Sequence, residues 1–267
     1  MDTQATTEDL LYEVRDGIGY ITFNRPQTRN AMTFAMYARL AEICDEVSKT
    51  NADGVKVLII TGAGEKAFAA GTDISQFRAF KTAQDALDYE ARGDKVQTTI
   101  ERCPIPIIAA IAGACTGGGF GIAACCDMRI STADARFGFP ISRTLGNCLS
   151  MANYARLYAL LGPAKVKDIV FTARLMNADE ALASGLVSEV LPDAAAVHAR
   201  AEELARTIAG HAPLTIRATK EALRRIGQNL RPDEDDKDLI VMCYTSEDFR
   251  EGMEAFLNKR KPVWRGV

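Results

Sequence analysis

Residues 103–126 read CPIPIIAAIAGACTGGGFGIAACC, twenty-four consecutive positions without a charge, bounded by Arg102 and Asp127. The length suits a membrane span. Against that, Pro104 and Pro106 open the stretch, and Gly113, Gly117, Gly118, Gly119 and Gly121 crowd its second half, which a single apolar helix tolerates poorly. The letters resolve better into a buried strand (IPIIAAI), a glycine turn (GACTGGG) and the opening of a buried helix (FGIAACC). Strand, tight turn and helix in succession are the unit of an α/β fold.

Working outward, the same alternation continues. Leu11 to Phe23 alternates around Asp16-Gly17 like a hairpin. Phe34, Tyr37, Leu40, Ile43, Cys44 and Val47 recur at helical spacing within 33–50. The run VKVLIIT (55–61) predicts a buried strand, followed by the loop GAGEKAFAAGTD and a helix over about 82–102. MRIST (128–132) is the next strand and ADARFGFPISRTLGN (133–147) a loop. Helices are expected over about 148–161, 163–171, 178–184, 194–209, 213–227 and 235–257, with a short strand in SGLVSEVL (184–191). The pattern gives an α/β core over 1–190 and a helical C-terminal region over 191–267.

Composition narrows the function. Thirty-two Lys and Arg against 35 Asp and Glu give a net charge of -3, which removes the electrostatic case for a nucleic-acid binder. Only two histidines, His198 and His211, are present, too few for a histidine-rich metal site and unfavourable for a histidine-based triad. Seven cysteines without C-x-x-C spacing read as reduced thiols of a cytoplasmic protein, and the polar, acidic start MDTQATTEDL does not resemble a signal peptide. Neither a membrane nor a nucleic acid is expected as a partner.

Nucleotide-binding and hydrolase motifs are missing. Ile122 stands where G-x-G-x-x-G needs its last glycine, no glycine loop leads to G-K-[ST], and G-x-S-x-G is absent. What remains is a pair of small-residue turns after two buried strands: Ala67-Phe68-Ala69-Ala70-Gly71-Thr72-Asp73, and Gly113 through Gly121. Small side chains let a ligand approach the main chain, and two sets of backbone N–H groups converging on one oxygen would stabilise an oxyanion. The alternative is tight strand–helix packing by glycine, and composition weighs the two equally.

Those residues, with Asn24-Arg25-Pro26, Asn30-Ala31, AFAAGTDI (67–74), IAAIAGACTGGGFGIAACCDMRI (108–130), ARFGFP (135–140), ADEALASGLVSEVL (178–191) and FREGMEAFLNKRKP (249–262), closely resemble the crotonase (enoyl-CoA hydratase/isomerase) superfamily in order and spacing, from about residue 10 to 262. The resemblance implies a crotonase-like spiral of ββα units with a C-terminal helical trimerisation region. It implies a homo-oligomer, a trimer or dimer of trimers, that takes an acyl-CoA thioester as substrate, with coenzyme A as part of that substrate and no tightly bound cofactor or metal. Carried over by position, it puts the oxyanion hole on the N–H groups of Ala70 and Gly118. It assigns coenzyme A contacts to Thr28, Arg29, Asn30, Ala70, Asp73, Ile74, Phe256 and Lys259. The Lys259-Arg260-Lys261 cluster suits a phosphorylated ligand, or is a solvated helix end. Asp73 fits loop structure better than catalysis.

The chain departs from that pattern where proton chemistry is expected. The two glutamates that flank the substrate in hydratases of the family fall here on Gly121 and Ile141, and neither side chain moves a proton. A later aspartate used by other members falls on Ser150 or Cys148, depending on the anchor chosen. Polar groups left near the expected pocket include Arg143, Cys148 and Ser150. Arg143 would hold a substrate carboxylate, as a decarboxylase needs, or else point to solvent or pair with Asp127 or Asp134. Cys148 is a nucleophile only if activated, and no histidine lies nearby; otherwise it packs. Ordinary hydration is therefore in doubt. Isomerisation, decarboxylation or other enolate chemistry is expected instead, with an inert acyl-CoA-binding protein as the alternative from another class.

Overall fold

The computed structural model describes residues 9–228 and 236–267. β1 (Leu10–Arg15) and β2 (Ile18–Phe23) form the expected antiparallel hairpin, turned by Asp16 (φ 52°) and Gly17 (φ 74°). Two consecutive left-handed residues match the right-handed twist of the strands they join. β2 then pairs in parallel with β3 (Val57–Gly62), to which β5 (Ile107–Ile111), β7 (Met128–Thr132) and β10 (Glu189–Leu191) are added, giving the order β1-β2-β3-β5-β7-β10. A second sheet of very short strands, β4 (Ala67–Ala69), β6 (Ala114–Thr116), β8 (Arg136–Gly138) and β9 (Met176–Asn177), runs alongside in that order. β3, β5 and β7 each hand the chain to a short strand of the second sheet, and then to a helix. This is a spiral of ββα units.

The helices are α1 (Phe34–Lys49), α2 (Ala83–Arg102), α3 (Gly118–Cys125), α4 (Ile141–Thr144), α5 (Met151–Phe171), α6 (Ala178–Ala183), α7 (Ala194–Ala209), α8 (Pro213–Gln228), α9 (Lys237–Tyr244) and α10 (Glu247–Leu257). α2 starts on a reciprocal cap, Thr82 Oγ1 accepting from the Asp85 amide while Asp85 accepts from the Thr82 amide. Side chains alternate across the long sheet as its period of two requires. Leu58 and Ile60 join a core with Met36, Leu40 and Ile43 of α1 and Phe120 of α3, whereas Val57 and Ile59 meet Val197, Ala201 and Ala205 of α7 on the other face. The helical region past residue 190 therefore begins by closing the sheet.

Three local expectations are corrected. The short sheet was not expected, because strands of two or three residues carry no measurable alternation; the turn GACTGGG contains β6, and the loop 133–147 contains β8 and α4. In SGLVSEVL only Glu189–Leu191 pairs. The helix expected over 235–257 is two helices, since Ser246 Oγ accepts from the Phe249 amide at 2.9 Å and starts α10; its expected first residue, 235, lies outside the described residues. The break near 162 is present: Gly162 (φ 72°, ψ 160°) followed by Pro163 kinks α5. Among the described residues, no helix is long and apolar enough to cross a membrane.

Candidate active site

The two glycine-bearing turns meet. Gly117 adopts φ 53° and ψ −130°, a conformation open to glycine alone, and donates its N–H to Gly138 O at 3.0 Å. A Cβ placed on it would lie 3.3 Å from the Gly71 Cα, and one on Gly71 would lie 3.9 Å from the Gly118 nitrogen. Gly118 begins α3, so its N–H has no partner within the helix.

The first turn is clamped by the segment that precedes α1. Met32 donates to Gly71 O and Asp73 donates to Met32 O, each at 2.8 Å, and Ala70 donates to Arg29 O at 3.0 Å. That last bond corrects the expected oxyanion pair, because the Ala70 N–H is already used inside the fold. The amides that follow it, of Gly71 and Thr72, have no acceptor among the described residues, and Thr72 is the one whose side chain is held at the cavity wall by Tyr37 and Tyr89. A side-chain pattern would not have separated these from Ala70, since the difference lies in which backbone bonds the 29–32 segment makes.

Both turns open into a cavity of about 460 Å³, lined by Ala70, Gly71, Thr72, Gly117, Gly118 and Gly121, with Phe34, Phe77, Tyr89, Phe139 and Ile141 as apolar wall. Thr72 Oγ1 lies 2.9 Å from Tyr37 Oη and 3.1 Å from Tyr89 Oη. Burial pushes the Tyr37 hydroxyl up to about 12 and raises Tyr89 as well, so both stay protonated beside the turn. Tyr37 also fixes the residue opposite: a Cβ on Gly118 would fall 1.9 Å from its Oη.

Gly121, where the family resemblance sets the expectation of a carboxylate position, faces two carboxamides. A Cβ there would lie 2.8 Å from Gln97 Nε2 and 3.6 Å from Asn153 Oδ1. Gln97 is oriented by buried Arg156, whose Nη1 donates to Gln97 Oε1 at 2.5 Å while Nε and Nη2 grip both oxygens of Glu101. Asn153 donates through Nδ2 to Ser150 Oγ, and Ser150 donates to Asp94 Oδ1 at 2.7 Å.

Three carboxyls reach the cavity wall, exposed Glu42 and Asp45 at its α1 side and buried Glu90, and sequence reading missed the buried one. Glu90 of α2 is 8% exposed and accepts a hydrogen bond from Tyr244 Oη; it also accepts from the Ser150 amide. Burial pushes it up to about 7 against those two bonds, helped by the charges of Asp94 and Asp236. Tyr37, Cys148 and Tyr154 on other elements, and Tyr89 beside it on α2, lie near enough to feel its charge, and no cation pairs with it among the described ion pairs. A glutamate on the buried stripe of an amphipathic helix was the available signal.

The other expected residues fall as follows. Ile74 and Phe256 line the cavity, Phe256 half exposed. Asn30, fully buried, donates to Ala63 O and Ala67 O and accepts from the Arg25 amide, stitching two loops together, while Thr28 Oγ1 donates to Arg25 O. Asp73 pairs with Arg25 at 3.2 Å and accepts from the Ser75 amide; burial raises its carboxyl, but the bonds from Ser75 and Arg25 outweigh that and leave it below the usual range. Lys259 is exposed at the end of α10, and neighbouring Arg260 is held by Glu251. Arg143 is exposed and outside the cavity. Cys148 is also outside it; hydrogen bonding with Cys243 and then burial push its thiol up, away from thiolate. Ser150 is the N-cap of α5, its hydroxyl accepting from the Asn153 amide. Among the described residues, no group of three His, Cys, Asp or Glu side chains is placed to hold a metal ion.

Comparison with known proteins agrees with this architecture. The chain is 36% identical over 260 residues to a crotonyl-CoA hydratase of Syntrophomonas wolfei, covering 95% of this chain and 96% of that one. It is 33% identical over 258 residues to a short-chain-enoyl-CoA hydratase of Clostridium acetobutylicum, with 95% and 96% covered. In structure it matches an enoyl-CoA hydratase/carnithine racemase from Magnetospirillum magneticum (TM-score 0.78, 34% identity, 98% and 97% covered). It also matches a methylmalonyl-CoA decarboxylase in complex with 2-nitronate-propionyl-CoA (TM-score 0.86, 27% identity, 97% and 98% covered). The family model for enoyl-CoA hydratase/isomerase matches residues 13–267. By that match over nearly its whole length, the chain belongs to the enoyl-CoA hydratase/isomerase family.

Proposed function

We propose that this protein processes an acyl-CoA thioester by stabilising the enolate of its acyl group between the N–H groups of Thr72 and Gly118. The observation that carries the reading is that these two amides, on turns in van der Waals contact, have no acceptor among the described residues and stand at the wall of one apolar cavity. When charge moves onto the thioester oxygen, preorganised donors of this kind hold it without reorganisation, each contributing roughly 10²–10³ in rate. The neutral hydroxyls of Tyr37 and Tyr89 surround that oxygen without adding a repelling charge. Ile74 and Phe256 at the cavity support a seat for the pantetheine arm, and exposed Lys259 an electrostatic approach for its phosphates.

Hydration by a pair of glutamates is not supported, because the carboxamides of Gln97 and Asn153 occupy the space beside Gly121; they can hold a water but do not take its proton. Decarboxylation guided by Arg143 is not supported either, since that guanidinium lies outside the cavity. Isomerisation and related enolate chemistry fit the site best. Exposed Phe171, Leu223, Ile226 and Met242 support a homo-oligomer, and seven unpaired cysteines support a cytoplasmic location. The test is a mass-spectrometric screen of α,β- and β,γ-enoyl-CoA and dicarboxylyl-CoA thioesters, with calorimetric binding in parallel. Product from an enoyl thioester is the expected result; binding without any product points to an inert acyl-CoA binder, and absence of binding overturns the reading.

A further inference from the structure

Stabilising an enolate leaves open which group removes the proton. Glu90, Gly93 and Gln97 all line the cavity from α2. Glu90 and Gln97 are seven residues apart, about 10.5 Å along the axis, with Gly93 between them. A Cβ on Gly93 would meet nothing within 4 Å, so the stripe is open at its middle and polar at both ends. One end is the carboxamide beside Gly121; the other is the carboxyl of Glu90. Tyr89, the residue before Glu90, bonds Thr72 through its hydroxyl, which ties this part of α2 to the oxyanion turn.

The hydrogen bonding around Glu90 is that of a group held in place rather than neutralised. Tyr244 Oη donates to one oxygen and in turn accepts from Asn147 Nδ2 at 3.2 Å. Asn147 itself lines the cavity, and its Oδ1 is buried without a partner, so this corner is not closed by internal hydrogen bonds. No lysine or arginine quenches the carboxyl among the described ion pairs.

We propose that Glu90 is the proton carrier of this site, replacing the carboxyls absent at Gly121 and Ile141, and that Tyr244 is its positioning residue. The proposal rests on the reading of Thr72 and Gly118 as the enolate-stabilising amides. The Glu90 carboxylate takes a proton from the acyl Cα, and the electron pair of that C–H bond forms the C=C of the enolate as the carbonyl pair moves onto oxygen. The protonated Glu90 then returns the proton to Cα, or to Cγ when the acyl chain is β,γ-unsaturated, and the carbonyl re-forms. One group both accepts and donates, so no water, second acid or redox partner is consumed. Burial that keeps the carboxyl near neutral suits this two-way transfer.

The experiment is exchange of the α-protons of butyryl-CoA in D2O, followed by mass spectrometry, with butyryl-CoA affinity measured on every variant. Wild type is expected to exchange, and Glu90→Gln to slow exchange by at least about 10²-fold with affinity within about threefold. Glu90→Asp, which retracts the carboxyl by one methylene, is expected to lose at least about tenfold, and decides the matter if Glu90→Gln does not fold. Tyr244→Phe is expected to retain exchange but move its pH profile upward, because the lost O–H donor had favoured the charged carboxylate; an unmoved profile overturns the role given to Tyr244. Near wild-type exchange in a folded Glu90 variant with intact affinity overturns the proposal and leaves the acyl-CoA site standing. A wild type that binds without exchanging also overturns it, and one that binds no thioester overturns the site reading on which it rests.

Discussion

Gln97 Nε2 stands 2.8 Å from where a Cβ on Gly121 would be, so a side chain at 121 and the Gln97 carboxamide compete for the same space. Placing a glutamate at 121 alone should therefore push the Gln97 amide off Arg156, at a cost of about 1–3 kcal/mol. Adding Gln97→Ala should recover part of that loss, which a double-mutant cycle in urea would read as coupling. The triple variant Gln97→Ala, Gly121→Glu, Ile141→Glu should hydrate crotonyl-CoA detectably. A folded, thioester-binding triple variant with no hydration would contradict the placement of those two positions.

Gly118→Ala should be a severe lesion. Its Cβ would fall 1.9 Å from Tyr37 Oη, so either the hydroxyl leaves Thr72 or the first turn of α3 shifts, and both displace an amide of the proposed oxyanion pair. Thioester α-proton exchange should drop by about 10²–10³. A loss below tenfold would mean that the Gly118 amide does not hold the oxygen.

Gly93→Leu separates the cavity from the fold. An added Cβ meets nothing within 4 Å and leucine is the better helix former by roughly 0.7 kcal/mol, so thermal stability should be kept or slightly raised. The side chain would fill the cavity between Glu90 and Gln97. Calorimetry should show thioester binding weakened at least tenfold, and unchanged affinity would move the ligand elsewhere.

The buried carboxyl of Glu90 makes stability depend on pH in a stated direction. Its folded value, about 7, lies above the ordinary 4.5, so the folded state holds the proton more tightly. That contribution is fully present below pH 4.5 and is lost as pH rises through 7, amounting to roughly 3 kcal/mol. Between pH 4 and pH 8 the difference in unfolding free energy between wild type and Glu90→Gln should shift toward the variant by about that amount. A difference that stays flat in urea titrations would show the carboxyl to be solvated.

Arg143→Ala should change nothing the site does. The side chain is exposed and outside the cavity, so exchange and thioester affinity should stay within about twofold of wild type. A selective loss on dicarboxylyl thioesters would restore a role for its charge.

How far the site was legible depended on whether its parts are local. The strand, glycine turn and helix within 103–126 can be read directly, because turn geometry and apolar periodicity are properties of a few adjacent residues. The same local logic gives the Asp16-Gly17 hairpin and the break at Gly162. It fails for β4, β6, β8 and β9, which are too short for alternation to register, and for the split between α9 and α10, where a serine cap inside a continuous apolar pattern is easily read through.

By itself, then, the sequence determined the alternation of long strands and helices, the two small-residue turns, and the absence of carboxyls at 121 and 141, since each is written in contiguous residues or in a single letter. Only the tertiary structure decided which amides of the first turn are used inside the fold, because that depends on Arg29 accepting from Ala70 across a loop about forty residues away in the chain. It likewise brought Gln97 and Asn153 into the space beside Gly121, left Arg143 outside, and set Glu90 against Tyr244 at the cavity wall. Burial and hydrogen-bond partnership are properties of the folded surroundings, and they govern whether a polar group here is structural or chemical.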